Sequence, residues 1–218
     1  MTKHLVFDVN ETLLDVSALD PLFERLFGNS ATRQEWFLTL QENWLTATIV
    51  DDYRPFGELA KSALAMVGRR RNIKVTSADE QSLINGIMTL PAHEDVAEAL
   101  ELLSSKGFTL AALTNSTLTA ARKQLASAQL SVYFEHILSV DEVQRYKPAA
   151  EPYRMAARRL GVGTGEITMV AAHAWDITGA AAAGCRTAFV ARPGKVINPA
   201  GAQPDYFGKT VLEVAQKL

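Results

Sequence analysis

The first fifteen residues constrain the fold of this chain more than any other segment. Leu5, Val6 and Phe7 form a short apolar run that is typical of a buried parallel strand, and Asp8 follows directly. Because ligands of open α/β sheets bind outside the carboxyl ends of the strands, this pattern predicts a functional carboxylate at Asp8. Thr12, in the following turn, can donate a hydrogen bond that fixes this carboxylate. In isolation, the same pattern is equally compatible with an aspartate that caps the next helix.

The rest of the sequence predicts alternating strands and helices. Four further apolar runs, at residues 108–113, 136–139, 167–171 and 187–190, are typical of short buried strands, and a helical pattern separates each from the next. This alternation predicts an α/β fold with a doubly wound, Rossmann-like parallel sheet.

One long segment interrupts the alternation. Every periodic pattern between residues 16 and 90 is helical, at 19–27, 33–50, 56–67 and 78–88. We therefore expect residues 1–15 and 91–218 to form an α/β core domain, and residues 16–90 to form a helical cap subdomain inserted after the first strand. Such an insertion is expected to cover Asp8 and exclude water from it.

Composition limits the classes of partner. The formal net charge of −2, without a long basic run, argues against nucleic acid. No apolar run approaches the ~20 residues that a membrane span requires. The single cysteine, Cys185, cannot form an intramolecular disulfide, which fits a reducing compartment. A small-molecule substrate and a cytoplasmic location are therefore expected, and homodimerisation is left open.

Polar residues follow several of the predicted strands. Thr114 and Asn115 follow the second, Lys147 lies in a loop after the third, and His173 and Asp176 follow the fourth. The carboxyl ends of parallel strands share one edge of the sheet, so these side chains should meet Asp8 there. The sequence thus predicts a site with two carboxylates around one lysine.

These motifs, in this order, resemble those of the haloacid dehalogenase superfamily, and most closely its type II L-2-haloacid dehalogenases. The family pattern of nucleophile Asp, Gly-Thr-Leu turn, Ser-Asn, Tyr-Lys-Pro and Asn-Ala-Trp-Asp is similar to the following residues: Asp8, Thr12-Leu13, Thr114-Asn115, Tyr146-Lys147-Pro148 and His173-Ala174-Trp175-Asp176. Tyr153 matches the tyrosine that follows the lysine loop.

The resemblance implies a hydrolase that works through a covalent ester on Asp8. Asp8 would displace a leaving group from an sp³ carbon, and Lys147 would keep the two carboxylates ionised. The resemblance also implies that three side chains hold the carboxylate oxygens: Thr12, Thr114 and Asn115. Asp176 or His173 would then activate water against the ester. For His173 a structural role is equally compatible, in which it packs beside Lys147 and the cation keeps it neutral.

Two positions argue against the phosphatases of the same superfamily. These enzymes usually carry a general-acid aspartate where this chain has Asn10, and a magnesium ligand where it has Ala172. Asn10 cannot exchange a proton at neutral pH, and the loss of a carboxylate weakens a magnesium site. We therefore expect no metal and no cofactor. A magnesium-dependent phosphatase of small phosphate esters is the alternative, and a degenerate member that only binds a ligand is the second.

Substrate recognition departs from the dehalogenase pattern. Phe37 aligns with an arginine that receives the substrate carboxylate and the halide in that subfamily, and Arg54 is the candidate to replace it, although an Arg54 that faces solvent is favoured. Asn10 stands where the subfamily has a tyrosine, whereas Phe56 and Trp175 keep the apolar character of the pocket. The substrate therefore need not be a short 2-haloacid.

Overall fold

The computed structural model describes residues 3–218. Its strands are β1 (His4–Phe7), β2 (Thr109–Thr114), β3 (His136–Ser139), β4 (Ile167–Ala171), β5 (Arg186–Val190) and β6 (Tyr206–Gly208). Its α-helices are α1 (Asp20–Phe27), α2 (Thr32–Ile49), α3 (Phe56–Arg70), α4 (Ser77–Met88), α5 (Val96–Ser105), α6 (Leu118–Ser127), α7 (Ala150–Leu160), α8 (Ala174–Ala182) and α9 (Val211–Lys217).

The six strands form one parallel sheet in the order β3-β2-β1-β4-β5-β6. The predicted α/β class with a doubly wound parallel sheet is therefore confirmed. The strand β6 was not predicted, because its three residues include an exposed Phe207 and a glycine rather than an apolar run. Buried side chains cover both faces of the sheet in two clusters.

Strand β1 lies between β2 and β4, and this register positions the site. Phe7 is opposite Ala112 of β2 and Val170 of β4. The residues that leave the carboxyl ends of these three strands therefore start side by side. Asp8 does not cap a helix in this arrangement, because the short 3₁₀ helix that follows is capped by Asp15, which accepts a hydrogen bond from the Ser17 amide.

Between residues 16 and 90, the structure contains helices and no strand. This segment, the helical insert, begins with a 3₁₀ turn and continues with α1 to α4. The indole N–H of Trp36 in α2 donates to the Ala60 carbonyl of α3 at 3.0 Å, which ties the two central helices together. A capping box of Thr76 and Asp79 satisfies backbone donors at the start of α4. The insert thereby holds a fixed set of aromatic side chains over β1.

Helix α8 lies close to the loop that carries Lys147. A Cβ atom added to Gly179 would come within 2.5 Å of the Pro148 side chain, so glycine is the residue that permits this approach. The contact brings Asp176, one turn earlier on α8, towards Lys147. Within residues 3–218, no helix is long and apolar enough to cross a membrane.

Candidate active site

Asp8 is buried at the end of β1 and both of its carboxylate oxygens are bound. Lys147 Nζ donates to Oδ1 at 2.9 Å, and the Thr12 hydroxyl donates to Oδ2 at 2.7 Å. His173 Nδ1 lies 3.1 Å from the same Oδ2. Burial by itself would raise the pKa of Asp8, but Lys147 and His173 outweigh it and hold this pKa well below its usual range. The carboxylate is therefore ionised and oriented, as a nucleophile must be.

Lys147 is fully buried and uses all three of its ammonium protons. Besides Asp8, its Nζ donates to Asp176 Oδ2 at 2.6 Å and to the Leu113 carbonyl at 3.0 Å. Burial lowers the pKa of a lysine, but the two carboxylates outweigh it and raise the pKa of Lys147 above its usual value. The cluster at the sheet edge is thus a permanent cation between two carboxylates.

Asp176 is also fully buried, and its second oxygen, Oδ1, accepts a hydrogen bond from the Tyr153 hydroxyl at 2.5 Å. Burial, reinforced by the nearby Asp8 charge, raises the pKa of Asp176, and Lys147 and Tyr153 act in the opposite direction. Burial and the Asp176 charge raise the pKa of Tyr153, so this phenol stays a neutral donor. Both oxygens of Asp176 are therefore occupied by protein donors.

Thr114 and Asn115 were expected to hold the Asp8 carboxylate, and the structure places their polar atoms elsewhere. The Thr114 hydroxyl accepts from the Ser116 amide at 3.0 Å, and Asn115 Oδ1 accepts from the Lys147 amide at 3.0 Å. These side chains shape the turn and anchor the lysine loop, because backbone donors left free at the strand ends compete for them. Among the three, only Thr12 contacts the carboxylate.

His173 differs from its expected structural role beside Lys147. Its ring nitrogens face carboxylates: Nδ1 lies near Asp8, and Nε2 lies 2.8 Å from Glu11 Oε2. Burial would lower the pKa of His173, but the hydrogen bonds and charges of Asp8 and Glu11 raise it above its usual value. The expectation of a histidine kept neutral by the lysine is therefore wrong, because Lys147 is turned towards Asp8 and Asp176 instead.

Glu11 is a site residue that sequence reasoning missed. It lies in the turn after β1 with a φ of 66°, in the left-handed region. This conformation costs a residue with a side chain about 1–2 kcal/mol. Its Oε2 also accepts from Lys195 Nζ at 2.5 Å, and Oε1 lies 4.0 Å from the Arg33 guanidinium. Burial would raise the pKa of Glu11, but His173 and Lys195 outweigh it and lower this pKa.

A small cavity of about 20 Å³ lies next to Asp8, between the sheet edge and the helical insert. It is lined by Asp8, Asn10, Phe37, Trp44, Phe56, Thr114, Asn115, His173 and Trp175. None of these nine residues is a lysine or an arginine. The volume is enough for about one water molecule, so the site is closed to a larger molecule in this conformation.

Aromatic rings form most of the cavity wall. The imidazole of His173 is stacked between Phe37, at a centroid distance of 5.8 Å, and Trp175, at 4.8 Å. Trp44 packs against Phe37 and Trp175, and the indole N–H groups of Trp44 and Trp175 are buried without a hydrogen-bond partner. The seven-residue spacing of Phe37 and Trp44, two turns of one helix, was the sequence signal that could have placed Trp44 at the site.

Of the remaining residues predicted to bind substrate, three lie at the cavity and Arg54 lies in solvent. Phe37 and Phe56 lie at the cavity, and so does Asn10, whose amide donates to Ser116 Oγ at 3.1 Å and accepts from Gln124 at 2.9 Å. Arg54 does not: its side chain is 59% exposed and pairs with Asp52 at 3.2 Å. Arg54 therefore faces solvent, as the favoured alternative expected, and its guanidinium does not lie at the position of the missing arginine.

The residues around Asp8 do not fit a magnesium ion. Mg²⁺ requires near-octahedral coordination by oxygen ligands. Here the Lys147 ammonium bridges Asp8 and Asp176, side-chain hydroxyls bind their remaining oxygens, and position 172 is a buried alanine. Within residues 3–218, no group of three or more His, Cys, Asp or Glu side chains could hold a metal ion.

An ionised carboxylate, a buried lysine and a second carboxylate lie together at the edge of a parallel sheet, an arrangement typical of one class of hydrolases. Residues 2–184 match the family model of haloacid dehalogenase-like hydrolases, and the chain belongs to this family.

Named relatives are similar over most of their length. The chain is 29% identical over 210 residues to (S)-2-haloacid dehalogenase 2 of Pseudomonas sp. (strain CBS-3), covering 94% of this chain and 90% of that protein. It is 31% identical over 192 residues to (S)-2-haloacid dehalogenase 4A of Burkholderia cepacia, covering 87% and 83%. The solved structure of L-2-haloacid dehalogenase from Xanthobacter autotrophicus superposes with a TM-score of 0.93 at 22% identity, covering 99% of this chain and 98% of the other.

Proposed function

We propose that this hydrolase displaces a leaving group from an sp³ carbon through a covalent ester on Asp8, without a metal or another cofactor. The supporting observation is the buried Lys147, which bridges Asp8 and Asp176 at 2.9 and 2.6 Å. The relatives named (S)-2-haloacid dehalogenases suggest a halide as the leaving group.

In the first half of the reaction, an Asp8 oxygen attacks the carbon and the carbon–halogen bond breaks. The ester C–O bond forms and the halide leaves with the bonding electron pair. Lys147 and Thr12 orient the carboxylate for this attack, since each donates to a different oxygen. The aromatic wall excludes bulk water and so favours attack by the carboxylate over solvolysis.

In the second half, water attacks the ester carbonyl of Asp8. His173 is the proposed base, because it lines the cavity, whereas Asp176 does not and has both oxygens bound by protein donors. Asp176 and Tyr153 are then positioning residues for Lys147. Of the two residues that the sequence suggested for activating water, His173 is thus preferred over Asp176.

Substrate recognition is proposed to differ from that of the relatives. None of the nine lining residues is a lysine or an arginine, and His173 is already paired with Asp8 and Glu11. The carboxylate of a short 2-haloacid would therefore find no free cation among the aromatic rings. We propose that the preferred substrate carries an apolar group at this position. Since the cavity holds about one water molecule, the helical insert must move for the substrate to reach Asp8.

Labelling in H₂¹⁸O tests the covalent mechanism. Over several turnovers with a panel of 2-haloacids and alkyl halides, one oxygen of Asp8 should exchange and carry ¹⁸O, as peptide mass spectrometry detects. Asp8→Asn should lose turnover, mainly in kcat. Full activity of Asp8→Asn, or label in the product without label in Asp8, would contradict the proposal.

The cap subdomain, the cytoplasmic location and the homodimer remain predictions. We propose that residues 16–90 act as a cap over the α/β core of residues 1–15 and 91–218. The buried Cys185 is compatible with a cytoplasmic location. A homodimer is testable by sedimentation.

A further inference from the structure

Asp8, His173 and Glu11 form a continuous line of side chains, and the proposed reaction gives no role to Glu11. Asp8 Oδ2 is 3.1 Å from one ring nitrogen of His173, and Glu11 Oε2 is 2.8 Å from the other. Phe37 and Trp175 stack on the two faces of the imidazole. The ring is therefore fixed both in its plane and against rotation.

The backbone conformation of Glu11 indicates a functional role for its side chain. Its φ of 66° lies in the region that favours glycine, yet the position carries a glutamate whose side chain is only 11% exposed. Lys195 binds the carboxylate and Arg33 lies beside it, so Glu11 is a fixed negative charge behind His173. A strained backbone that buries a charge beside a catalytic candidate is typical of a functional position.

We propose that Glu11 is a positioning residue that holds His173 as the base for hydrolysis of the Asp8 ester. This inference rests on the proposed function. Because a carboxylate only accepts hydrogen bonds, Glu11 keeps a proton on Nε2 and leaves Nδ1 directed at the Asp8 carboxyl group.

The proton transfers balance over one turnover. Before reaction His173 donates to both carboxylates and is cationic. Formation of the ester removes the negative charge of Asp8, and His173 gives up its Nδ1 proton to solvent as the halide leaves. Nδ1 then takes a proton from water as the water oxygen bonds to the ester carbonyl carbon. The ester C–O bond breaks, the product alkoxide takes the remaining proton of the attacking water, and Asp8 returns to a carboxylate with His173 cationic.

Glu11→Gln tests this role because it removes the charge and keeps the shape. Rapid-quench mass spectrometry with a panel of alkyl bromides and 2-bromoalkanoates, including 2-bromopropionate, measures formation and loss of the Asp8 ester separately. We expect the ratio of ester hydrolysis to ester formation to fall at least about tenfold in Glu11→Gln. The acid limb of the hydrolysis rate should also move to lower pH, because His173 loses a charge that stabilises its protonated form. Within residues 3–218, the ring nitrogens of His173 contact the carboxylates of Asp8 and Glu11, and Lys147 and Lys195 act through these two carboxylates.

Two further variants separate this role from folding. Glu11→Gly relieves the left-handed backbone, which offsets part of the loss of its ion pairs, so it should remain folded and still accumulate ester. Glu101→Gln, a matched change of an exposed residue on α5, should leave both rate constants unchanged.

The outcomes distinguish the two proposals. Native protein that forms no Asp8 ester with any halide of this panel overturns both the proposed function and the role of Glu11. An ester that the native protein and Glu11→Gln hydrolyse at the same rate, with the same pH profile, overturns only the role of Glu11.

Discussion

Replacement of Lys147 by methionine should destabilise this protein more than an ordinary core substitution. The ammonium is fully buried and lies 2.9 and 2.6 Å from Asp8 and Asp176. Its removal leaves two buried carboxylates facing each other with no cation between them. Breaking a buried ion pair by removal of one partner costs about 3–5 kcal/mol. For a chain of this size, that corresponds to a fall of roughly 6–20 °C in melting temperature.

The pH dependence of this loss identifies its cause. Without Lys147, the folded-state pKa values of Asp8 and Asp176 rise above their unfolded values, so the folded state binds protons more tightly than the unfolded state. The stability of the variant relative to the native protein should then improve as the pH falls, and the difference in melting temperature between the two should be smaller at pH 5 than at pH 7.5.

Calorimetry of three variants beside the native protein checks this reasoning. Lys123→Met removes an exposed lysine and should leave the melting temperature within about 2 °C of the native value. Lys147→Met combined with Asp176→Asn should recover part of the loss, since one uncompensated charge is removed. A change under 2 °C in Lys147→Met at pH 7.5, or a difference from the native protein that does not vary with pH, would refute the electrostatic account.

Other perturbations address recognition, acid stability and the Asp176 contact. Chloroacetate and 2-chloropropionate should be turned over weakly or not at all, and Phe37→Arg should raise kcat/KM for both. A native kcat/KM near ~10⁴ M⁻¹s⁻¹ would contradict this. The folded-state pKa values of Asp8 and Glu11 are lowered, so their stabilisation is complete above about pH 4 and lost as the pH falls further. The melting temperature should thus fall steeply below pH 4, and less steeply in Glu11→Gln. Tyr153→Phe removes one of the hydrogen bonds that Asp176 accepts and should lower kcat with little change in KM; an unchanged kcat would contradict a positioning role.

Strand positions and the candidate nucleophile were readable from the sequence because they depend on local pattern. The predicted strands 136–139 and 167–171 coincide with β3 and β4. Asp8, Lys147 and Asp176 each follow a predicted strand, which was enough to predict that they share one edge of the sheet. Apolar runs of this kind specify buried strands whatever the partner.

The hydrogen-bond partners of the site residues could not be predicted from the sequence, because those partners lie far away along the chain. The partners of Glu11 lie 162 and 184 residues away, at His173 and Lys195. Thr114 was expected to bind the Asp8 carboxylate, but its hydroxyl accepts a hydrogen bond from the Ser116 amide. The sequence left the choice between a cavity and a solvent position of Arg54 open for a similar reason, since the packing of the helical insert decides it. Arg54 pairs with Asp52 at the surface.

The aromatic wall gives this enzyme a built-in optical reporter. The chain has three tryptophans: Trp44 and Trp175 line the cavity beside Asp8, and Trp36 lines a neighbouring pocket that shares Phe37 with it. Selective excitation of tryptophan therefore yields emission from the candidate active site, with no distant tryptophan to dilute it. Each change there, whether arrival of a ligand, departure of a heavy anion or loss of charge on the stacked imidazole, should register in stopped-flow fluorescence as a separate phase.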